Sequence, residues 1–170
     1  MIRKTSKGWR RNVSGVLLVA FLFGCSPAQR PSLVDPEIIE AMLRYQFAHN
    51  ASGVQGSASV YCIGFGSGSA NSPKYQDPPP KFLARFTDVT PKVKAYSQCS
   101  RAAGNSVVDK TSGKRGLVFK IDSVKCASAS ECEVEGGYYE ANESSSGNTY
   151  YLQKRAGKWV VVKDVMHWIS

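Results

Sequence analysis

Between Pro36 and Phe47 the apolar residues Ile38, Ile39, Met42, Leu43 and Phe47 recur at helical spacing, with Glu37, Glu40 and Arg44 between them. These positions form one stripe of a 3.6-residue helix, so the pattern predicts an amphipathic helix lying on a core. Asp35 is placed to cap it and Pro36 suits its first position. The helix should end near His49-Asn50, before the polar run "ASGVQGSAS". "SVYCIGF" then reads as a strand bounded by glycines, and the Gly-, Ser- and Pro-rich "GSGSANSPKYQDPPP" as a loop without regular structure. "PKFLARF" predicts one or two helical turns with Phe82, Leu83 and Phe86 inward. "PKVKAYSQC" predicts a strand with Val93, Ala95 and Ser97 on one face.

The second half of the chain alternates with a period of two. "SVVDKTSGKRGLVFKIDSVKC" predicts a hairpin around Thr111, Ser112, Gly113 and Lys114, with Leu117, Phe119 and Ile121 inward. "ECEVEGGYYEAN" is the next strand, its Gly136-Gly137 pair marking a bulge or bend. "ESSSGN" should turn the chain, "TYYLQKR" return it, "AG" turn it again and "KWVVVKDVMHWIS" close it, so the last three strands form an antiparallel meander. Trp159 and Trp168 are candidate core residents. The pattern as a whole predicts an α+β domain over residues 34–170: an N-terminal amphipathic helix and a short second helix packed on a curved antiparallel sheet.

That order of elements resembles the nuclear-transport-factor-2-like and cystatin-like α+β folds, and more closely small exported bacterial proteins of that shape. The resemblance rests on "GYY", "YYLQKRAGKW" and the terminal "WIS". Ketosteroid-isomerase-type enzymes, polyketide cyclases and many non-catalytic domains share the shape, so the fold does not choose a function. The isomerases' catalytic carboxylate has no matching position here.

The first 24 residues form an address. Arg3, Lys4, Lys7, Arg10 and Arg11 precede an apolar stretch from Val13 to Phe23, about half the roughly 20 residues that span a bilayer. A basic region before a short apolar core reads as a secretory signal. "Leu22-Phe23-Gly24-Cys25" resembles a bacterial lipobox, with Phe23 departing from the usual small residue. The resemblance implies acylation of Cys25, where two or more chains anchor stably. Ordinary signal cleavage with Cys25 incidental, and twin-arginine export through "WRRNV", are the alternatives. Ser26 after the cysteine, where Asp would favour inner-membrane retention, points to the outer membrane of a Gram-negative cell. Residues 25–33 would then be a lipidated tether, holding the domain within roughly 30 Å of the membrane.

With Cys25 assigned to lipid, Cys62, Cys99, Cys126 and Cys132 remain. Three disulfide connectivities are possible in an exported domain. "CASASEC" lies between two strand-like runs, which favours Cys126–Cys132 and hence Cys62–Cys99. Metal binding is the alternative, but no C-x-x-C pair occurs. The net charge of +9 falls to +4 without the five basic residues of the leader. A local excess of +6 lies between Lys74 and Arg115. Outside the cytoplasm such a segment suits an anionic envelope component or an acidic protein, and nucleic acid is not expected. Lys110, Lys114 and Arg115 at the hairpin turn are its candidate binding residues. Tyr138-Tyr139 and Tyr150-Tyr151 should each place one ring in the core and one outside, with Tyr139 and Tyr150 as candidate ligand contacts.

Catalytic signals are sparse. His49 falls near a helix C-terminus, where a positive charge interacts favourably with the dipole. His167 lies in the last strand, and alternation turns Asp122 toward solvent. "GFGSGSA" is followed by "NSP" where a phosphate cradle needs a helix. The sequence therefore predicts a non-catalytic, lipid-anchored binding domain without cofactor or metal. A ketosteroid-isomerase-like enzyme acting on a small apolar substrate, and an envelope assembly or inhibitor subunit, are the alternatives.

Overall fold

The computed structural model describes residues 35–66, 68–69 and 72–170. The expected leader (1–24), the expected tether (25–33) and Cys25 lie outside them. Helix α1 (Pro36–His49) starts where Asp35 accepts the Glu37 N–H at 2.9 Å. Its apolar stripe, Ile38, Ile39, Met42, Leu43 and Phe47, is buried as the periodicity predicts. Among the described residues no helix is long and apolar enough to cross a membrane.

Six strands form the main sheet: β1 (Val60–Phe65), β4 (Lys92–Ala95), β7 (Leu117–Ser128), β8 (Glu131–Ala141), β9 (Ser144–Arg155) and β10 (Lys158–Ile169). Their order is β10-β9-β8-β7-β1-β4. The meander β7–β10 is antiparallel, but β1 runs parallel to both β7 and β4, so the sheet is mixed rather than wholly antiparallel. All six residues of β1 are buried. A continuous apolar run covered on both faces suits a central strand with parallel neighbours.

Two short ladders complete the chain. β2 (Gly68–Ser69) and β3 (Ser72–Pro73) pair within the stretch expected to lack regular structure, next to the bridge between Phe65 and Gln76. β5 (Cys99–Arg101) pairs with β6 (Val107–Asp109). The turn at residues 110–113 forms as predicted, organised by Asp109. Its carboxylate accepts from the Thr111 N–H (3.2 Å) and the Ser112 hydroxyl (2.8 Å). The predicted hairpin does not extend beyond it: Val108 bridges Arg115, and the chain then leaves to join β1. Gly116 allows that departure, since a Cβ there would strike Val60. The strand begun at Lys92 likewise stops at Ala95, and Ser97 falls in a helical turn.

α1 packs across β8, β9 and β10, while α2 (Pro80–Leu83) and the tighter turn Ala84–Phe86 bring Phe82 and Phe86 to the same core. Rings of Phe47, Tyr61, Phe86 and Phe119 meet at centroid distances of 4.9–5.7 Å. Leu117, Phe119 and Ile121 all point inward and are fully buried. Arg44 bridges Glu40 at 2.9 Å and Asp88 at 3.0 Å, fastening α1 to the turn after α2.

Both disulfides pair as favoured. Cys126–Cys132 links directly opposed residues of β7 and β8, and Cys62–Cys99 joins the main sheet to β5. Around the second bridge Val60, Val107, Val118 and Tyr139 form a smaller core on the face away from α1. The sheet thus has an inner face covered by α1 and an outer face only partly covered by β5–β6.

Candidate functional site

The outer face beyond that small core is built by the register of β7–β10. Lys120 of β7 lies opposite Gly137 of β8, and Gly147 of β9 opposite Trp168 of β10. Trp168 was expected in the core, yet it is 47% exposed. Its indole rests on Gly147, where a Cβ would collide with the ring. Lys120 Nζ lies 5.4 Å from the Trp168 ring centroid and 3.0 Å from Asp122 Oδ2.

Asp122 lies at a bulge. The β7–β8 register shifts between Ile121 and Ser123, so Asp122 is the extra residue opposite Gly136 and Glu135. The irregularity predicted at Gly136-Gly137 therefore lies on the facing strand. The glycines are needed for close approach instead: a Cβ at Gly137 would meet the Ser146 carbonyl. Alternation rightly turns Asp122 away from Leu117, Phe119 and Ile121, but that face is partly covered here, so the expected exposure to solvent is not found. Asp122 is partly buried, its Oδ1 is enclosed without a hydrogen-bond partner among the described residues, and burial raises its pKa despite Lys120. Tyr75 stands near enough to feel that charge, and burial pushes its hydroxyl pKa upward as well.

A polar row crosses the sheet next to this group. The Ser123 hydroxyl donates to Glu135 at 2.8 Å and Lys125 approaches the same carboxylate at 3.3 Å; the hydroxyl bond and then the lysine hold the Glu135 pKa low. Thr149 meets His167 Nε2 at 2.7 Å. Further along the same face, Tyr151 carries Lys163 at 5.3 Å from its ring centroid. Tyr151, Lys125, Glu133, Gln153 and Val162 border an open depression of about 420 Å³.

The residues singled out in the sequence lie elsewhere. Tyr139 and Tyr150, expected outside, are both buried. Successive strand residues face opposite sides, and here each side has a core: Tyr138 and Tyr150 enter the main one, Tyr139 the smaller one. The Tyr139 hydroxyl donates to the Asn105 carbonyl at 3.1 Å, and Arg101 lies 4.6 Å from its ring centroid. Of the basic turn, Lys110 donates to the Ser97 carbonyl at 2.7 Å and Arg115 pairs with buried Glu140 at 2.9 Å. Lys114 is exposed, with no side-chain partner among the described residues. Lys94, in the same basic segment, is bound to Asp109 at 2.8 Å and holds its pKa at about 2, helped by Ser112. Three of the nine basic residues of that segment, Arg85, Lys94 and Arg115, are thus held in ion pairs. His49, in the last turn of α1, meets the Tyr45 carbonyl at 2.9 Å and stacks on the Tyr45 ring, their centroids 4.3 Å apart.

Sequence reasoning missed Trp168, Lys120, Asp122 and Tyr151 as a group. The bulge that turns Ser123 and Lys125 to the face of Asp122 depends on pairing, and only the register aligns Gly137 and Gly147. Comparison with protein-family models, with curated proteins and with solved structures finds no match for this chain.

Proposed function

We propose that this chain is a lipid-anchored protein of the cell envelope, held at the outer membrane through Cys25, whose domain binds a partner without catalysing a reaction. The outer face of β7–β10 is the binding face. One observation supports this above others: the two faces of the sheet differ in closure. Between α1 and the sheet, Met42, Leu43, Phe47 and Phe119 fill the space that an isomerase-like enzyme would need for substrate. The outer face instead leaves a large aromatic ring half exposed beside Lys120 and Asp122, and a bulge turns Ser123 and Lys125 to the same face. Bulges commonly re-aim side chains at functional places. A long helix lying across an antiparallel meander supports the cystatin-like or nuclear-transport-factor-2-like shape as part of the same reading.

The anchor is tested by feeding cells an acyl analogue. The wild-type chain should take up the label and sediment with membranes, whereas Cys25→Ser should do neither. A labelled Cys25→Ser protein would refute the lipid assignment. The binding face is tested by photo-crosslinkers placed in intact cells at Tyr151 and, as a control, at Lys81. A specific adduct at Tyr151 and none at Lys81 is expected; the reverse pattern would move the binding face to the helical side.

A further inference from the structure

The charges of the outer face balance: two ion pairs lie there, and Lys163 and Glu133 both flank Tyr151. Lys120 sits 3.0 Å from Asp122 and Lys125 3.3 Å from Glu135. Such a surface offers donors and acceptors without a field of single sign, which suits an uncharged polar ligand better than an anionic polymer. At one end lies Trp168, its ring seated on Gly147. A ring fixed before binding loses little freedom when a ligand covers it. At the other end lies Tyr151, beside the 420 Å³ depression. From Gly147, which faces Trp168, to Tyr151 is four residues of β9, about 13 Å at 3.3 Å per residue. Between the two aromatics run the Ser123–Glu135 and Thr149–His167 hydrogen bonds.

We propose that this face binds an uncharged oligosaccharide, with one sugar ring stacked on Trp168, another on Tyr151 and the hydroxyl groups of the intervening span on the polar row. The inference rests on the outer face being the binding face and gives that face a ligand. A pyranose ring presents axial C–H bonds on one side, which carry slight positive charge and meet the negative face of an aromatic ring. Its hydroxyls both donate and accept, matching Lys120 Nζ and the Asp122 and Glu135 carboxylates. The distance between the rings exceeds one sugar, so an oligomer fits better than a monosaccharide. Asp122 adds a second, independent sign. Its enclosed Oδ1 has no partner among the described residues, an arrangement that folding alone does not favour and that occurs at functional sites.

Calorimetric titration of the purified full chain with neutral hexose and N-acetylhexosamine oligosaccharides tests the proposal, with a sulfated polysaccharide as the anionic arm. Affinity for a neutral sugar should rise from disaccharide to longer oligomers and stay constant as salt increases. Trp168→Ala should weaken it about tenfold, Tyr151→Ala should weaken it mainly for the longer oligomers, and Trp168→Phe should restore most of it. Thermal melts confirm that each variant is folded. Failure of the folded wild type to bind any neutral oligosaccharide overturns the proposal, as does unchanged affinity in both alanine variants. Binding confined to the sulfated polymer and abolished by salt overturns it too and returns the ligand to exposed lysines such as Lys114. A protein crosslinked at Tyr151 without sugar binding would overturn the saccharide while leaving the binding face in place.

Discussion

Replacing Cys62 and Cys99 together by alanine should destabilise the protein more than the same change at Cys126 and Cys132. In the chain-entropy account, a bridge stabilises by restricting the unfolded chain, and the effect grows with the loop it closes. The sequence separations are 37 for Cys62–Cys99 and 6 for Cys126–Cys132. Those lengths correspond to about 3.8 and about 2.2 kcal/mol at 25 °C. Packing acts in the same direction, because Cys62 and Cys99 sit inside the smaller core whereas Cys126 is exposed. Urea unfolding of the oxidised full chain reads the difference. With a slope of about 2 kcal/mol per molar, the midpoint should fall by about 1.9 M for the first variant and about 1.1 M for the second. Hydrogen exchange adds a local signature: amides of β5 and β6 should lose protection in the first variant, since the bridge fastens that small ladder to β1. A Cys126/Cys132 variant less stable than the Cys62/Cys99 variant would refute the reasoning.

Phe119→Ala should cost about 3–5 kcal/mol in the same assay, because a fully buried ring in contact with Phe47 and Tyr61 leaves a cavity that its neighbours cannot close; a loss under about 1 kcal/mol would show that the core can collapse there. Asp109 and Asp122 should bend the pH profile in opposite senses. Lys94 and Ser112 lower the Asp109 pKa to about 2, so its contribution is complete above the unfolded carboxylate value of roughly 3.9 and disappears as pH falls toward 2. Burial raises the Asp122 pKa, so its contribution is complete below that unfolded value and is lost as pH rises through the folded one. Stability measured against pH for wild type, Asp109→Asn and Asp122→Asn checks both signs; parallel profiles would contradict them.

Local elements were legible wherever a residue's neighbours in sequence decide its environment. α1 follows from its stripe and cap, and the meander from alternation between short turns. The error at "ESSSGN" marks the limit of that logic. Polar residues suggested a turn, but the turn is Asn142-Glu143, and Ser145, Ser146 and Asn148 are buried in β9. Their polar groups are met across the strands: Ser145 pairs with Ser170 through backbone and hydroxyl, and the Ser146 hydroxyl donates to Asn148. The parallel seating of β1 was illegible for a related reason, since an apolar hexapeptide does not name its neighbours. The candidate site failed on both counts. Trp168 reads as core by type, and its exposure follows from lying on an edge strand over a glycine that is distant in sequence. Asp122 reads as solvent-facing by alternation, which gives its face correctly but not the Lys120 and Trp168 side chains that crowd it there.

The seating of β1 also bears on the order in which the chain folds. β1 pairs with residues 92–95 and 117–121, and α1 lies on β8–β10, so neither finds its surface within its own half of the sequence. The meander closes through short turns and needs no help from the first half. Contacts between distant segments form late because the intervening chain must first be closed. A polypeptide emerging from its N-terminus therefore exposes "VYCIGF" until β7 has been made, and the apolar stripe of α1 until its last strand has arrived. Nascent chains that end before Lys158 should remain open to protease throughout. The end of the protein made first is the end that must be kept from aggregating longest, which makes a chaperone that holds extended apolar segments the natural companion of its biogenesis.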